Sequence, residues 1–107
     1  MGTVINTAIL VTCYTKAGAV VRKARNLGLP CSTAVKSLVN GDSTVMIAPD
    51  GSKMGWPDRY VADSAREKMK EWLRMQGCYQ WVEVDYGWDM EGQARVSDQY
   101  SSDDEDE

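Results

Sequence analysis

The sequence predicts a single α+β domain of the ferredoxin-like type, in which an antiparallel sheet carries two helices on one face. Two observations lead to this prediction. The spacing of apolar residues changes along the chain, so that the predicted elements follow the order β-α-β-β-α-β. The chain has 107 residues, of which 43% are apolar, and this suffices for one hydrophobic core but not for two.

The first half of the chain predicts a strand, a helix and a hairpin. The stretch "TVINTAILVTCYT" is rich in β-branched residues and predicts a strand over about residues 4–14. Apolar residues at helical spacing follow in "KAGAVVRKARNLG", where Thr15 can cap the helix and Gly28 can end it. The stretches "STAVKSLV" and "STVMIA" predict two strands, because the Asn-Gly pair between them favours a tight turn.

The second half of the chain predicts a long helix and a last strand. Apolar side chains at helical spacing run from Pro57 to Gln76, and Gly77 ends this helix. The alternation in "YQWVEVDYGW" predicts a strand whose valines face the helices. The predicted core then consists of Val20, Val21, Leu27, Val45, Ile47, Met69, Trp72, Leu73, Val82 and Val84.

The same alternation predicts which side chains of the sheet face away from the helices. These residues are Leu10, Thr12, Tyr14, Met46, Trp81, Glu83 and Asp85. A surface that combines large apolar side chains with carboxylates is typical of a protein-contact patch. Dimerisation of the chain, or a covering by residues 87–97, would account for the same composition.

Charge is distributed unevenly along the chain. Residues 1–82 hold eleven basic and six acidic side chains, a net charge of +5, whereas residues 83–107 hold one basic and ten acidic side chains, a net charge of −9. We assign residues 1–97 to the domain and residues 98–107 to an acidic tail. The tail is expected to be flexible, because its like charges repel one another and residues 101–107 include no apolar anchor.

The residue types present exclude several kinds of chemistry. The chain contains no histidine, so Ser-His-Asp and Cys-His nucleophilic systems cannot be assembled. Cys13, Cys31 and Cys78 lie far apart in the sequence, which speaks against a zinc site and against a disulfide framework. No stretch approaches the roughly 20 apolar residues of a membrane span. We therefore expect a cytoplasmic, non-enzymatic protein that uses no metal, cofactor or membrane.

Basic residues cluster on and before the first predicted helix, at Lys16, Arg22, Lys23 and Arg25. They can form the solvated face of this helix, or they can bind an anion together with the free N–H groups of its first turn. Direct binding of nucleic acid is not expected to be the main function, because the chain carries a net charge of −4.

Three stretches in the second half of the chain, "APDGSKMGWPDRY", "SAREKMKEWL" and "WVEVDYGW", resemble stretches of small acidic proteins from tailed phages and prophages. The similarity covers roughly residues 47–97. It brings no established activity, so no site residue is transferred. Small phage proteins of this kind are often host-takeover factors, including inhibitors of CRISPR or restriction systems. The resemblance therefore implies a protein that acts in the cytoplasm of a bacterial host cell.

Two functions from different classes follow. The first is a non-enzymatic inhibitor that binds a host protein or nucleoprotein complex with a basic groove. Its partner-binding residues would be Trp81, Glu83, Asp85, Tyr86, Trp88, Asp89, Glu91, Asp103, Asp104, Glu105, Asp106 and Glu107. The second is a small module that binds nucleic acid or a phosphate ligand through Lys16, Arg22, Lys23 and Arg25, with the acidic tail as an internal competitor.

Overall fold

The computed structural model describes residues 4–87, 90 and 93–100. These residues form two helices and five strands. In chain order the elements are β1 (Asn6–Cys13), α1 (Ala17–Asn26), β2 (Val35–Lys36), β3 (Ser43–Ile47), α2 (Pro57–Gln76), β4 (Gln80–Tyr86) and β5 (Arg95–Tyr100). The protein is an α+β domain with one antiparallel sheet and two helices, as the sequence predicts.

The strands follow the order β2-β3-β1-β4-β5 across the sheet, so β1 is the central strand. Along β1, Ile9 pairs with Ile47 of β3 on one side and with Glu83 of β4 on the other. The predicted four-stranded ferredoxin-like sheet is not matched, because β5 adds a fifth strand beside β4. The predicted boundary between residues 97 and 98 falls inside β5, while residues 101–107 of the predicted tail lie outside the described residues.

Helix α2 begins and ends at the predicted residues. Pro57 opens the helix, where its fixed φ angle fits and its missing N–H is not needed. Asp58 in the first turn and Arg74 in the last turn complement the helix dipole. Gly77 ends the helix in the left-handed conformation, with φ of 71°, and donates its N–H to the carbonyl oxygen of Leu73 at 3.4 Å.

The predicted cap of α1 is wrong. The residue that precedes the helix is Lys16 rather than Thr15, and Lys16 has a left-handed φ of 67°. No side chain caps the first turn of α1. The sharp turn from β1 into the helix is therefore made by the backbone of Lys16, and Thr15 stays exposed before it.

The predicted strand over residues 32–39 is much shorter than expected. Within this stretch, β2 contributes only Val35 and Lys36 to the strand pairing with β3, and Leu38 and Val39 are exposed. The side chain of Asn40 accepts a hydrogen bond from the N–H of Asp42 at 2.9 Å. This local turn competes with strand pairing, so the hairpin loop is wider than the predicted two-residue turn.

One hydrophobic core lies between the helices and the sheet. The predicted core residues Val20, Val45, Ile47, Met69 and Leu73 are buried in it. A further three predicted residues are half-buried against it, namely Val21, Leu27 and Trp72. Both helices contribute to this cluster together with β1, β3 and β4, so they pack on the same face of the sheet.

Strand β4 faces the opposite way from the prediction. Trp81, Glu83 and Asp85, which were expected to face away from the helices, are only 3%, 7% and 7% exposed and lie on the helix side. Val82 and Val84, which were expected in the core, are half-buried on the other side. The prediction assumed that the valines of this strand are buried because they are apolar. In β4 the residues that alternate with the valines, Trp81, Glu83 and Asp85, are buried instead.

Helix α2 supplies the cations that make this possible. Lys70 is 3% exposed, and its Nζ donates to Glu83 Oε1 at 3.1 Å. The same ammonium group lies 2.8 Å from Glu67 Oε1 and 3.2 Å from Asp98 Oδ2. Arg74 Nη2 donates to Asp98 Oδ2 at 2.8 Å. An unpaired charge in this position would be costly, so Glu83 is buried because Lys70 meets it.

The second acid of β4 is held in the same way. Thr7 Oγ1 donates to Asp85 Oδ1 at 2.7 Å, and Arg95 Nε lies 3.2 Å from Asp85 Oδ2. Arg59 Nη2 donates to Thr7 Oγ1 at 2.8 Å. We call the network of polar contacts that joins α2, Asp50 and the strands β1, β4 and β5 the ionic layer. Its members are Thr7, Asp50, Arg59, Asp63, Arg66, Glu67, Lys70, Arg74, Glu83, Asp85, Arg95 and Asp98.

The contacts of the ionic layer favour the charged forms of Asp98 and Lys70, as the pKa shifts of these two groups show. Burial alone would raise the pKa of Asp98, but hydrogen bonds from Arg74 and Lys70 outweigh it and keep this pKa below the ordinary 3.8. Burial alone would lower the pKa of Lys70, but its bonds to Glu67 and Glu83 raise this pKa above the ordinary 10.5.

Replacing Lys70 with methionine should lower the free energy of unfolding by about 3–5 kcal/mol, because it leaves Glu83 buried without its counter-charge. Urea unfolding of the two proteins measures this. Lys68→Met is the matched control, since Lys68 is exposed on the same helix and its loss should cost less than about 0.5 kcal/mol. Adding Glu83→Gln to Lys70→Met should restore part of the loss. A cost below about 1 kcal/mol for Lys70→Met would show that Glu83 is not buried against this cation.

Stability should also depend on pH in a direction set by these pKa values. The unfolded chain takes up a proton at Asp98 near pH 3.8, while the folded chain resists protonation to a lower pH. Stability from this carboxylate is therefore complete above about pH 4 and falls as the pH drops below it. Stability from Lys70 is complete below its ordinary 10.5 and is lost as the pH rises through its higher folded value. The urea midpoint measured against pH should show both limbs, and Asp98→Asn should make the acid limb shallower.

Candidate functional site: the open face of the sheet

The side of the sheet that faces away from the helices carries no charged residue among the described strand positions. Residues that pair directly across strands share a face, so the register defines this surface. We call it the open face. Its members are Asn6, Ala8, Leu10, Thr12, Val35, Thr44, Met46, Gln80, Val82, Val84, Tyr86, Val96 and Gln99.

The middle of the open face is apolar. Leu10 of the central strand lies between Met46 of β3 and Val82 of β4. In the next row, Val84 of β4 pairs with Val96 of β5. Leu10 is 39%, Met46 is 42% and Val96 is 56% exposed. These side chains form a continuous apolar strip across four strands.

Polar side chains occupy the two ends of the open face. At one end Thr12 and Thr44 share a hydrogen bond of 2.9 Å between their hydroxyl groups, and Gln80 lies beside Thr12. At the other end Asn6 pairs with Tyr86, which is 41% exposed. An apolar centre with a polar rim is the usual anatomy of a protein interface.

A shallow groove of about 420 Å³ runs along the polar end of this surface. Trp81 contributes to its lining from the helix side, and its ring stacks on Tyr100 with 6.5 Å between centroids. The guanidinium group of Arg74 lies 4.9 Å from the Trp81 ring centroid. The indole Nε1 of Trp81 is buried and donates to no partner in the described part of the chain. Trp81 therefore supports the groove from below rather than projecting from the open face.

Only some of the sequence-predicted surface residues lie on the open face. Leu10, Thr12 and Met46 face away from the helices as predicted. Tyr14 lies just beyond the end of β1 and is 75% exposed. Sequence reasoning missed Val82, Val84, Val96 and Val35.

A pattern in α2 could have indicated the missed residues. Ionisable side chains recur along this helix at a spacing that aligns them in one stripe, which consists of Arg59, Asp63, Arg66, Lys70 and Arg74. The apolar stripe beside it consists of Ala62, Ala65, Met69 and Leu73. Lys70 and Arg74 of this stripe pair with acids of the facing strands, whereas Arg59 and Arg66 pair with Asp63 and Asp50. An acid of β4 opposite Lys70 turns the valines of this strand outward.

The predicted partner-binding residues divide into three groups. Trp81, Glu83 and Asp85 face the helices and are buried, and the two acids are engaged in the ionic layer. Tyr86 lies on the open face. The other predicted residues, Trp88, Asp89, Glu91, Asp103, Asp104, Glu105, Asp106 and Glu107, lie outside the described residues.

The predicted anion-binding residues lie together on α1 and at its first residue. Lys16, Arg22 and Arg25 are exposed, and Lys23 is half-buried. Arg25 Nη2 donates to the carbonyl oxygen of Cys31 at 3.4 Å, so part of its hydrogen-bonding capacity is used inside the domain. An anion-binding role for this group stays a prediction.

Neither of the two helices in the described part of the chain is both long enough and apolar enough to cross a membrane. Comparisons of the chain with protein-family models, with curated proteins and with solved structures give no match. The resemblance to small phage proteins therefore stays a prediction, and the open face is the feature from which function has to be inferred.

The two sides of β4 should respond differently to substitution. Trp81→Ala should lower the free energy of unfolding by about 3–5 kcal/mol, because it removes a large buried side chain from the core. Val82→Thr on the open face should cost less than about 1 kcal/mol. Chemical unfolding measures both values. Equal costs, or a larger cost for Val82→Thr, would show that β4 faces the other way.

Proposed function

We propose that this chain is a non-enzymatic binding protein that docks a protein surface on the open face of its sheet. The observation that carries this proposal is that no charged side chain occupies the described strand positions of the open face, in a chain of which 26% of the residues are charged. Soluble proteins seldom expose contiguous apolar patches without a binding role. Five charged side chains of the described residues, Arg59, Arg66, Lys70, Glu83 and Asp85, are buried on the helix side of the sheet, while Leu10, Met46 and Val96 are exposed on the open face.

The two edges of the sheet are poorly suited to association. Strand β2 has two residues, which is too short to template another strand. Strand β5 carries Arg95 and Asp98, and its pairing with β4 is interrupted by a register shift between Glu83 and Val84. Charges and bulges at an edge prevent strand addition. Association through the face is therefore favoured over association through an edge.

The chemistry of the open face also restricts its partner. A charged group pressed against Leu10 and Val82 would lose its hydration and find no counter-charge on this face. Phosphate groups and basic grooves are therefore poor ligands for it. The open face fits an uncharged, largely apolar protein surface with hydrogen-bonding groups near the ends of the strands.

The narrower hypothesis of an inhibitor that binds a basic groove of a host defence complex stays a proposal. Two of its acids, Glu83 and Asp85, are already paired with cations of this chain. This hypothesis therefore has to rely on Asp89, Glu91 and residues 103–107 for attraction to a basic groove, because the open face offers such a groove no counter-charge at the described strand positions. The alternative of a phosphate-binding module on α1, and the location in a bacterial cytoplasm, stay predictions as well.

Photo-crosslinking tests the docking surface. A photoreactive amino acid at Met46 or Val82 should form adducts with a protein in a bacterial lysate or in a concentrated solution of the chain itself. The same group at Lys68 or Glu71, on the exposed side of α2, should form few. Adding Leu10→Lys should abolish the adducts from Met46 and Val82, because it places an unpaired charge at the centre of the face. Equal labelling from both sides of the domain would contradict the proposal.

Removing residues 101–107 separates the roles of the face and the tail. If the tail only steers a basic partner, its removal should slow association and weaken the dependence on salt, while dissociation stays unchanged. The Leu10→Lys variant should instead abolish the complex at every salt concentration. Surface-based binding kinetics with the crosslinked partner distinguish the two effects.

A further inference from the structure

We infer that the partner of the open face is a second copy of this chain, so that two sheets pack face to face around a two-fold axis. This inference rests on the function proposed for the open face and names its partner. Three features of the described residues support it: the charge of the face, its area and the arrangement of its side chains about β1.

The first feature is charge. In a two-fold contact the same patch meets itself, so any charge near the axis is placed close to an identical charge. Each chain has a net charge of −4, and two copies repel each other over most approaches. The open face, which bears no charge at the described strand positions, avoids this repulsion. A contact with a foreign protein imposes no such requirement, because opposite charges can be matched across it.

The second feature is area. A strand residue covers about 16 Å² of a sheet, given a spacing of about 4.8 Å between strands and a rise of about 3.3 Å per residue. The five strands, of 2 to 8 residues, therefore offer roughly 450 Å² per copy when the sheet is treated as a flat surface. Two copies would bury at most about 900 Å², since Ala8 on this face is already only 4% exposed, and this area fits a weak dimer that dissociates on dilution.

The third feature is the position of Leu10. It lies on β1, the third of five strands, with Met46 and Val82 on its two sides. A two-fold axis between the sheets at this point places Leu10 of one copy against Leu10 of the other. The apolar strip then forms the centre of the interface, and the polar ends of the strands form its rim.

Sedimentation equilibrium of the purified full-length chain tests the inference. The wild-type protein should have a mass of twice 11.9 kDa at high concentration and should dissociate on dilution. Leu10→Lys should raise the dissociation constant at least about 100-fold, because two like charges would meet at the axis. The matched control is Met75→Lys, since Met75 is 80% exposed on α2 and should leave the dimer intact. Circular dichroism and urea unfolding check that both variants remain folded.

A charge-reversal pair tests the two-fold axis itself. Leu10→Lys and Leu10→Glu should each be monomeric alone, whereas an equimolar mixture should form dimers that contain one copy of each. A mixture that stays monomeric would overturn the placement of Leu10 at the axis.

The possible outcomes separate this inference from the function on which it rests. A wild-type chain that is monomeric at all concentrations, or a dimer that Leu10→Lys leaves unchanged, overturns the inference. If such a chain still forms crosslinks to a foreign protein from Met46 and Val82, the open face remains a docking surface with a different partner. If it forms no crosslinks at all, the proposed function fails with the inference.

Discussion

The buried ammonium group of Lys70, between α2 and the strands β4 and β5, is the interaction on which the rest of the molecule depends. Its Nζ lies 3.1 Å from Glu83 Oε1 and 3.2 Å from the half-buried Asp98 Oδ2, and the carboxylate of Glu83 can be buried because this cation faces it. With Glu83 inside, the alternation of β4 turns Val82 and Val84 outward. The same contact that stabilises the interior therefore creates the apolar surface on the opposite side of the sheet.

The ionic layer also explains why the chain continues the sheet beyond β4. Strand β5 contributes Asp98 to Lys70 and Arg74, and its Ser97 Oγ donates to Glu83 Oε1 at 2.7 Å. Side-chain contacts thus add to the backbone pairing of a strand that has few buried apolar side chains. The sequence of β5 is as polar as that of a solvent-exposed segment, because Ser97 and Asp98 contact the ionic layer and not the hydrophobic core. A strand of this kind gives little signal in a search based on hydrophobic periodicity.

Much of the fold was predictable because it is encoded locally. Pro57 and Gly77 mark the ends of α2, and spacing alone identifies Ile47 and Met69 as core residues. The face of β4 was not predictable in this way, since strict alternation offers two equivalent orientations and the rule that apolar residues are buried selects the wrong one. The deciding contacts connect β4 to α2 and to Thr7, which is 78 residues away in the sequence. The same holds for the open face. Its residues Leu10, Thr12 and Met46 on β1 and β3 were predicted, whereas Val82, Val84 and Val96 on β4 and β5 were missed.

Burying ion pairs rather than apolar side chains adds little to stability, since well-packed apolar replacements of buried ion pairs are often as stable or more so. Its effect here is on specificity. If α2 carried an apolar side chain in place of Lys70, no cation would hold Glu83 inside and the valines of β4 would be free to turn inward. The carboxylates of Glu83 and Asp85 would then lie on the outer face, where they would repel a second copy and any other acidic surface. The contact between Lys70 and Glu83 therefore determines which side of β4 the sheet presents outward.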